Sequence, residues 1–390
     1  MDFTLTEAQQ DLARLTAEVT GKLVTADRLR ELDSDSDTAR FDEPLWNSLA
    51  ETGILAAALP ESVGGGGFGV LEQTAVLRAL GRSVAPVPYL WSIVLGAGAL
   101  AEFGSQTQRA LAAEAASGAK ILTVALSEER NWEPSKPVTT AAREGDAWRV
   151  TGLKITVPFA RQATRILVPA MVFPSGPEAA ASVTTEGASN PASGQAAVFL
   201  VDPAEAGVRI TDQIVTDRTP EAEIEFSGAP AELVGTVEQG AEILDWLLRR
   251  AWLGLSAHQL GVVEKGLDLV ADYAREREQF NRKIGSFQAV AQRLADSYID
   301  VQGIRLAVQQ AAWCLSENLP ATAEIHTAKF WAAEAGHRVA HTVVHVHGGV
   351  GIDRDHIVNQ FFTAAKHNEF ALGGATDHLR ALGAELAESH

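Results

Sequence analysis

The sequence predicts an α+β fold in which a β-domain is inserted between two helical halves. Three observations predict it. Apolar residues keep helical spacing to about Ser117, short β-branched runs follow from about Ile121 to Gly235, and long helical periodicity returns from Gln239 to His390. In the first stretch Leu12, Leu15 and Val19, then Leu45, Leu49 and Ile54, then Leu71, Val76, Leu77 and Leu80 fall on helix faces. Thr6 before Glu7 reads as a helix start, and Pro60 followed by Gly64–Gly67 as a break. In the second, Ile121–Leu126, Trp148–Val157, Arg165–Val172, Ala197–Val201, Val208–Ile210 and Ala222–Phe226 read as strands. Phe173 to Gln195 is poor in apolar residues beyond alanine and is expected to be a mobile, exposed loop. In the third, Ile243, Leu247, Ala251 and Leu255, then Leu260, Val263, Leu267 and Val270, point to a bundle of long helices. The domain boundaries expected are 1–120, 121–236 and 237–390.

The bulk numbers narrow the function. A net charge of −18 over 390 residues argues against nucleic acid or anionic membrane as a partner. It leaves an anionic substrate open, because a local cationic pocket can sit on an acidic protein. One cysteine, Cys314, forbids an internal disulfide and fits a reducing cytoplasm. No basic n-region or apolar h-region opens the chain, and the longest apolar run, near Trp91–Leu100, is too short to span a bilayer. A cytoplasmic protein is expected.

The most specific motif is Arg275-Glu276-Arg277-Glu278-Gln279-Phe280, then Ile284-Gly285-Ser286-Phe287-Gln288, then Leu294-Ala295-Asp296. A charged helix end explains the charges but not the ordering. The segment closely resembles the Arg-x-x-Phe and Gly-x-Phe-Gln signature of the acyl-CoA dehydrogenase family. The resemblance implies that it grips the ADP half of an FAD whose flavin is bound by the neighbouring subunit. A guanidinium such as Arg277 can fork onto pyrophosphate oxygens, and an aromatic such as Phe280 can cover the adenosine. His345-Val346-His347-Gly348-Gly349-Val350-Gly351 resembles the family's Gln-x-x-Gly-Gly-x-Gly turn, with His345 in place of the glutamine. On that resemblance Arg277, Gln279, Phe280, Phe287, Gln288, His345, Val346, Gly348 and Gly349 are the expected cofactor-binding residues. A metal at His341, His345 and His347 is disfavoured, since Thr342 rather than a carboxylate follows His341. Leu59-Pro60-Glu61 through Gly69 resembles the family's Pro-Glu-x-x-Gly-Gly-x-Gly link, so the likeness covers nearly the whole chain. It implies an N-terminal helical domain, a middle β-barrel-like domain and a C-terminal four-helix bundle.

The chain departs from the family where the chemistry is done. The flavin strand Leu-Thr-Glu-Pro becomes Leu126-Ser127-Glu128-Glu129, and the strand that lies against the isoalloxazine becomes Lys154-Ile155-Thr156-Val157-Pro158-Phe159. Proline at 158 offers neither hydroxyl nor N–H. The glutamate that removes the α-proton has two family positions; Leu372 and Ala251 occupy them. Glu369, one turn before Leu372, is a conceivable substitute base, with a solvated surface glutamate the favoured reading. No catalytic residue is therefore expected in this chain. Together these losses resemble the base-less subunit of heteromeric α2β2 bacterial steroid side-chain acyl-CoA dehydrogenases. That resemblance implies an FAD shared with a partner that supplies the flavin pocket and the glutamate. It also implies desaturation of a steroid side-chain or other bulky acyl-CoA, a step of steroid or cholesterol catabolism. A flavin monooxygenase on the same fold, or a structural subunit that binds no cofactor, are the alternatives.

Overall fold

The computed structural model describes residues 6–34, 40–173 and 194–388; most of the stretch expected to be a mobile loop lies outside them. Thr6 caps the first helix: its Oγ1 accepts from the Gln9 N–H while the Gln9 side chain accepts from the Thr6 N–H. The N-terminal part comprises α1 (Glu7–Leu23), α2 (Ala26–Ser34), α3 (Glu43–Glu51), α4 (Ile54–Ala57), α5 (Val70–Gly81), a π-wound segment over Tyr89–Ala97 running into α6 (Gly98–Phe103), and α7 (Gln106–Ala116). Pro60 and Gly64–Gly67 lie between α4 and α5, as the break predicted.

The β-domain holds β1 (Leu122–Val124), β2 (Thr140–Glu144), β3 (Ala147–Pro158), β4 (Arg165–Val172), β5 (Gln195–Val201), β6 (Val208–Gln213) and β7 (Glu221–Val234). Strand β4 pairs with β2 and β5, β5 with β7, β7 with β3, and β3 back with β2, so five strands close a ring. Strands β1 and β6 pair at its margins, on β4 and β7. Closure removes the exposed edges of those five strands. β2 was not expected: Thr140-Ala141-Ala142-Arg143-Glu144 carries little β-propensity, and pairing with β3 makes it a strand. Val150, Phe199, Ile224 and Phe226 fill the barrel interior.

The C-terminal part has α8 (Gly240–Glu276), α9 (Gln288–Ser316), α10 (Thr322–His347), α11 (Ile357–Phe370) and α12 (Ala375–Glu388). Helices α8 to α11 are the four of the expected bundle, and α12 packs on α10 as a fifth. A short hairpin, β8 (Glu278–Gln279) and β9 (Arg282–Lys283), joins α8 to α9. The N-terminal helices share one core with the bundle: Leu77 and Leu80 are buried with Leu255, Leu260 and Val263. At the α5–α8 crossing a Cβ on Gly81 would meet the His258 carbonyl at 2.1 Å, and one on Gly261 the Arg78 carbonyl at 2.0 Å. Glycine is what lets the two backbones touch there. Among the described residues no helix is long and apolar enough to cross a membrane.

Candidate functional site

Two regions carry the residues singled out by sequence. The first is a surface at the C-terminal ends of α8 and α10. Those ends meet where Tyr273 stacks on His347, ring centroids 4.5 Å apart. Just beyond α8, β8 and β9 form a two-residue hairpin whose loop is Phe280-Asn281, with φ of +53° and +60°. Positive φ at both positions is the type I′ geometry that two-residue hairpins require. A phenylalanine rarely sits there, and the cost in strain presents its ring at the tip, 86% exposed. Phe287 stands edge-on to it, centroids 6.2 Å apart, and the Arg282 guanidinium lies 3.8 Å above the Phe287 ring. The neighbouring cations Arg275 and Lys283 are ion-paired to Asp272 and Glu278. The Arg277 guanidinium has no partner among the described residues.

Across the Tyr273–His347 stack, α10 ends at His347 and Gly348 takes φ +68° and ψ −142°, a conformation closed to other residues. Gly349 needs no such conformation, and no atom lies within 4 Å of where its Cβ would be, so a side chain is missing where only an outside group could use the room. Gln279, Gln288, His345, Gly348 and Gly349 are exposed, with Val346 and Phe287 half-buried. All nine expected cofactor-binding residues are thus exposed or half-buried, on two segments that adjoin the Tyr273–His347 stack. The three histidines weighed as metal ligands point apart. His347 is buried on the Val343 carbonyl, His341 packs on His337 and Phe362, and His345 is exposed.

The second region is a cavity of about 680 Å³ between the barrel and the turn after α11. It gathers the departures noted in the sequence: Ser127, Ile155, Thr156, Pro158 and Leu372 all line it, with Trp91 and Trp252. Ala251 does not reach it; it is fully buried in the helical core, so a longer side chain there would displace core atoms. Leu372 does reach it, from a left-handed φ of +54°. Its carbonyl accepts from the Trp252 indole at 3.0 Å and contacts His378 Nε2 at 3.2 Å. His378 Nδ1 is 2.9 Å from His326 Nδ1, and burial holds His378 at a pKa of about 3. Lys329, wholly buried on α10, donates to the carbonyls of Asn368, Glu369 and Gly373; burial lowers its pKa to about 7. These groups fasten the turn from behind.

The strand expected to face a flavin ring has its backbone donors at 155 and 156 engaged, while no hydrogen bond holds the Thr156 hydroxyl among the described residues. The Ile155 N–H goes to the Ser127 carbonyl at 3.0 Å, the Thr156 N–H to Gln213 Oε1 at 2.7 Å, and Pro158 has none. Thr156 sits in a bulge with φ +47°. Glu128, the surviving carboxylate of the flavin-strand motif, is inside the protein. It accepts from Lys154 Nζ at 2.7 Å, from Asn131 Nδ2 and from the N–H groups of Val138 and Thr139. Burial would raise its pKa, but Lys154 and these donors outweigh it and hold it at about 2. Burial in turn lowers the Lys154 pKa, which Glu128 opposes. The pair anchors the loop that carries Trp132 at the cavity rim.

The carboxylates on the cavity wall have partners: Glu133 pairs with Lys136, Asp377 accepts from the Gly374 N–H, and Glu221 meets His367 through Oε1 while its buried Oε2 has no partner among the described residues. Glu369 is not the solvated residue expected from the sequence. Its side chain is 12% exposed, bound to Lys366 at 2.5 Å and His337 at 3.1 Å, and it does not line the cavity. Residues missed by the sequence reading join the three parts of the fold: His367 of α11 contacts Asp217 at 3.4 Å and Glu221 at 3.2 Å. Burial disfavours the imidazolium, but the two carboxylates overcome it and raise its pKa to about 9. Arg40 extends the cluster to Asp33, Gln360 and the Asp217 carbonyl. No local signal marked these residues, because each gains its role from partners far away in sequence.

A helical body, a closed β-domain and a C-terminal helical bundle together make an acyl-CoA dehydrogenase fold. The sequence model of the acyl-CoA dehydrogenase N-terminal domain matches residues 6–118 and that of the C-terminal domain residues 238–387. The chain belongs to the acyl-CoA dehydrogenase family, whose members are FAD-dependent oxidoreductases acting on CH–CH bonds. It is 48% identical to acyl-CoA dehydrogenase FadE27 of Mycobacterium tuberculosis over 100% of both chains. It superposes on a chain of the ChsE4-ChsE5 complex from Mycobacterium tuberculosis with a TM-score of 0.89 and 49% identity, covering 100% of this chain and 99% of that one. A chain of the Tcur3481-Tcur3483 steroid ACAD matches with a TM-score of 0.88, 35% identity and 99% coverage of each.

Proposed function

We propose that this chain is the FAD-completing subunit of a heteromeric acyl-CoA dehydrogenase. Arg277, Gln279 and Phe280, with Phe287 and Gln288, hold the ADP half of FAD, and the His345–Gly349 turn lets main chain approach it. A homologous partner supplies the flavin pocket and the catalytic glutamate, in an α2β2 assembly whose substrate is a steroid side-chain or other bulky acyl-CoA. Bound there, FAD would supply the hydride acceptor for oxidation of a Cα–Cβ bond. The observation that carries the reading is an asymmetry. The expected nucleotide face has a guanidinium without a partner among the described residues, an exposed aromatic and an open glycine, whereas the interdomain cavity has no free backbone N–H at 155, 156 or 158 and a leucine at the base position.

The fit of FAD divides in the same way. Arg277, Phe280 and Gly349 suit a pyrophosphate and adenosine, and the cavity wall does not suit a flavin edge. Around the nucleotide face Ile299, Leu306 and Ile352 are more than half exposed, apolar surface of the kind that partners cover. The bulky substrate rests on the likeness to the steroid complex. Purification of the chain alone and co-expressed with a homologous glutamate-bearing subunit tests the proposal. A colourless chain alone and a yellow, active complex are expected. A yellow homo-oligomer with dehydrogenase activity would refute it.

A further inference from the structure

A second cavity, of about 610 Å³, lies among α1, α2, α5, α8, α9 and α11 and shares no lining residue with the cavity described above. Its floor is apolar, built from residues such as Leu71, Leu260, Val308 and Phe361. Every charged residue that lines it is basic: Arg14, Arg78, Arg82, Lys265 and Arg305. In a chain with a net charge of −18, such a one-signed rim is conspicuous.

The rim is also pre-arranged. Buried Glu264, beneath it, accepts from Arg78 at 2.7 Å, Arg305 at 2.7 Å and Arg82 at 3.4 Å, and Arg82 also meets Asp268 at 2.7 Å. One carboxylate fixing three guanidiniums costs little further entropy when an anion arrives. The five cations Arg14, Arg78, Arg82, Arg305 and Lys265 face four carboxylates, Asp11, Glu18, Glu264 and Asp268, which leaves one positive charge in excess. Lys265 has no ion pair among the described residues, and the buried Arg305 Nε lacks an acceptor.

We infer that this cavity binds a soluble amphipathic carboxylic acid, its apolar body on the Leu71–Phe361 floor and its carboxylate at the Lys265–Arg305 rim. The size is that of pockets that enclose drug-sized ligands, about 300–1,000 Å³. The site is independent of the FAD proposal, since it uses none of the same residues.

Calorimetric titration of the full chain with sodium dodecanoate, below its micelle concentration, tests it. Saturable binding of one dodecanoate per chain is expected, roughly tenfold or more tighter than dodecyltrimethylammonium. Lys265→Glu, on the surface, should weaken dodecanoate by roughly tenfold with an unchanged melting transition. Ala75→Trp, which fills the cavity from α5, should abolish it. Equal affinity for the two amphiphiles, or dodecanoate binding indifferent to Lys265→Glu, overturns the inference. So does capture of the chain by phosphatidylglycerol vesicles in the absence of dodecanoate binding, since that would make the rim a lipid-surface contact.

Discussion

The two ends of the C-terminal helical bundle treat their polar groups in opposite ways. At the turn after α11 everything is answered from within: Lys329 caps three carbonyls, Trp252 holds the Leu372 carbonyl, and Glu369 is tied to Lys366 and His337. At the ends of α8 and α10 Arg277 has no partner among the described residues, Phe280 is exposed and Gly349 is uncovered. Buried polar groups must be satisfied, and exposed ones need not be. A strained aromatic at a hairpin tip, beside a cation with no partner among the described residues, is the feature on which the proposed cofactor face rests. The closed end is structure; its residues look catalytic in composition and are committed elsewhere.

That comparison can be broken by experiment. The largest effect is expected from Lys154→Met, which strands Glu128 in the β-domain: loss of about 3–5 kcal/mol of stability in urea unfolding. A loss below about 1 kcal/mol would show that Glu128 has other support. Next is the pH dependence of the three-part junction. His367 has a folded pKa of about 9, above its unfolded value, so its contribution is complete below about pH 6.5. Stability should fall between about pH 6.5 and 9, on the order of 2 kcal/mol. The urea midpoint followed over that range reports it, and His367→Gln should flatten the slope.

Arg277→Ala tests the open end. The expected result is FAD affinity of the complex reduced roughly 10- to 100-fold, as for loss of a hydrogen bond to a charged group, without change in unfolding midpoint. Undiminished flavin content would remove Arg277 from the site. The smallest effect is expected from Leu372→Glu. It restores a carboxylate at the cavity wall but no donors on β3, so the isolated chain should remain without flavin absorbance or dehydrogenase turnover. Gain of either would show that the cavity lacked only its base.

Much of the fold was legible because periodicity reports burial directly: β4 spans Arg165–Val172 as expected, and the Thr6 cap and the Pro60 break stand where their chemistry puts them. β2 was not legible, since its residues become a strand only by pairing with β3 and β4. The segment expected to bind the cofactor could be picked out for a different reason. Arg277 to Gln288 is a continuous segment, and its hairpin is local.

By itself the sequence determined the three-part order, the continuity of the Arg277–Gln288 segment and the absence of a carboxylate at 372 and 251. Tertiary structure decided the rest, because a polar group's role depends on what meets it. Only folding sets Glu369 against His337, sends the Thr156 N–H to Gln213, and holds His367 between Asp217 and Glu221. Only folding shows that Leu372 faces the interdomain cavity while Ala251 lies in the core.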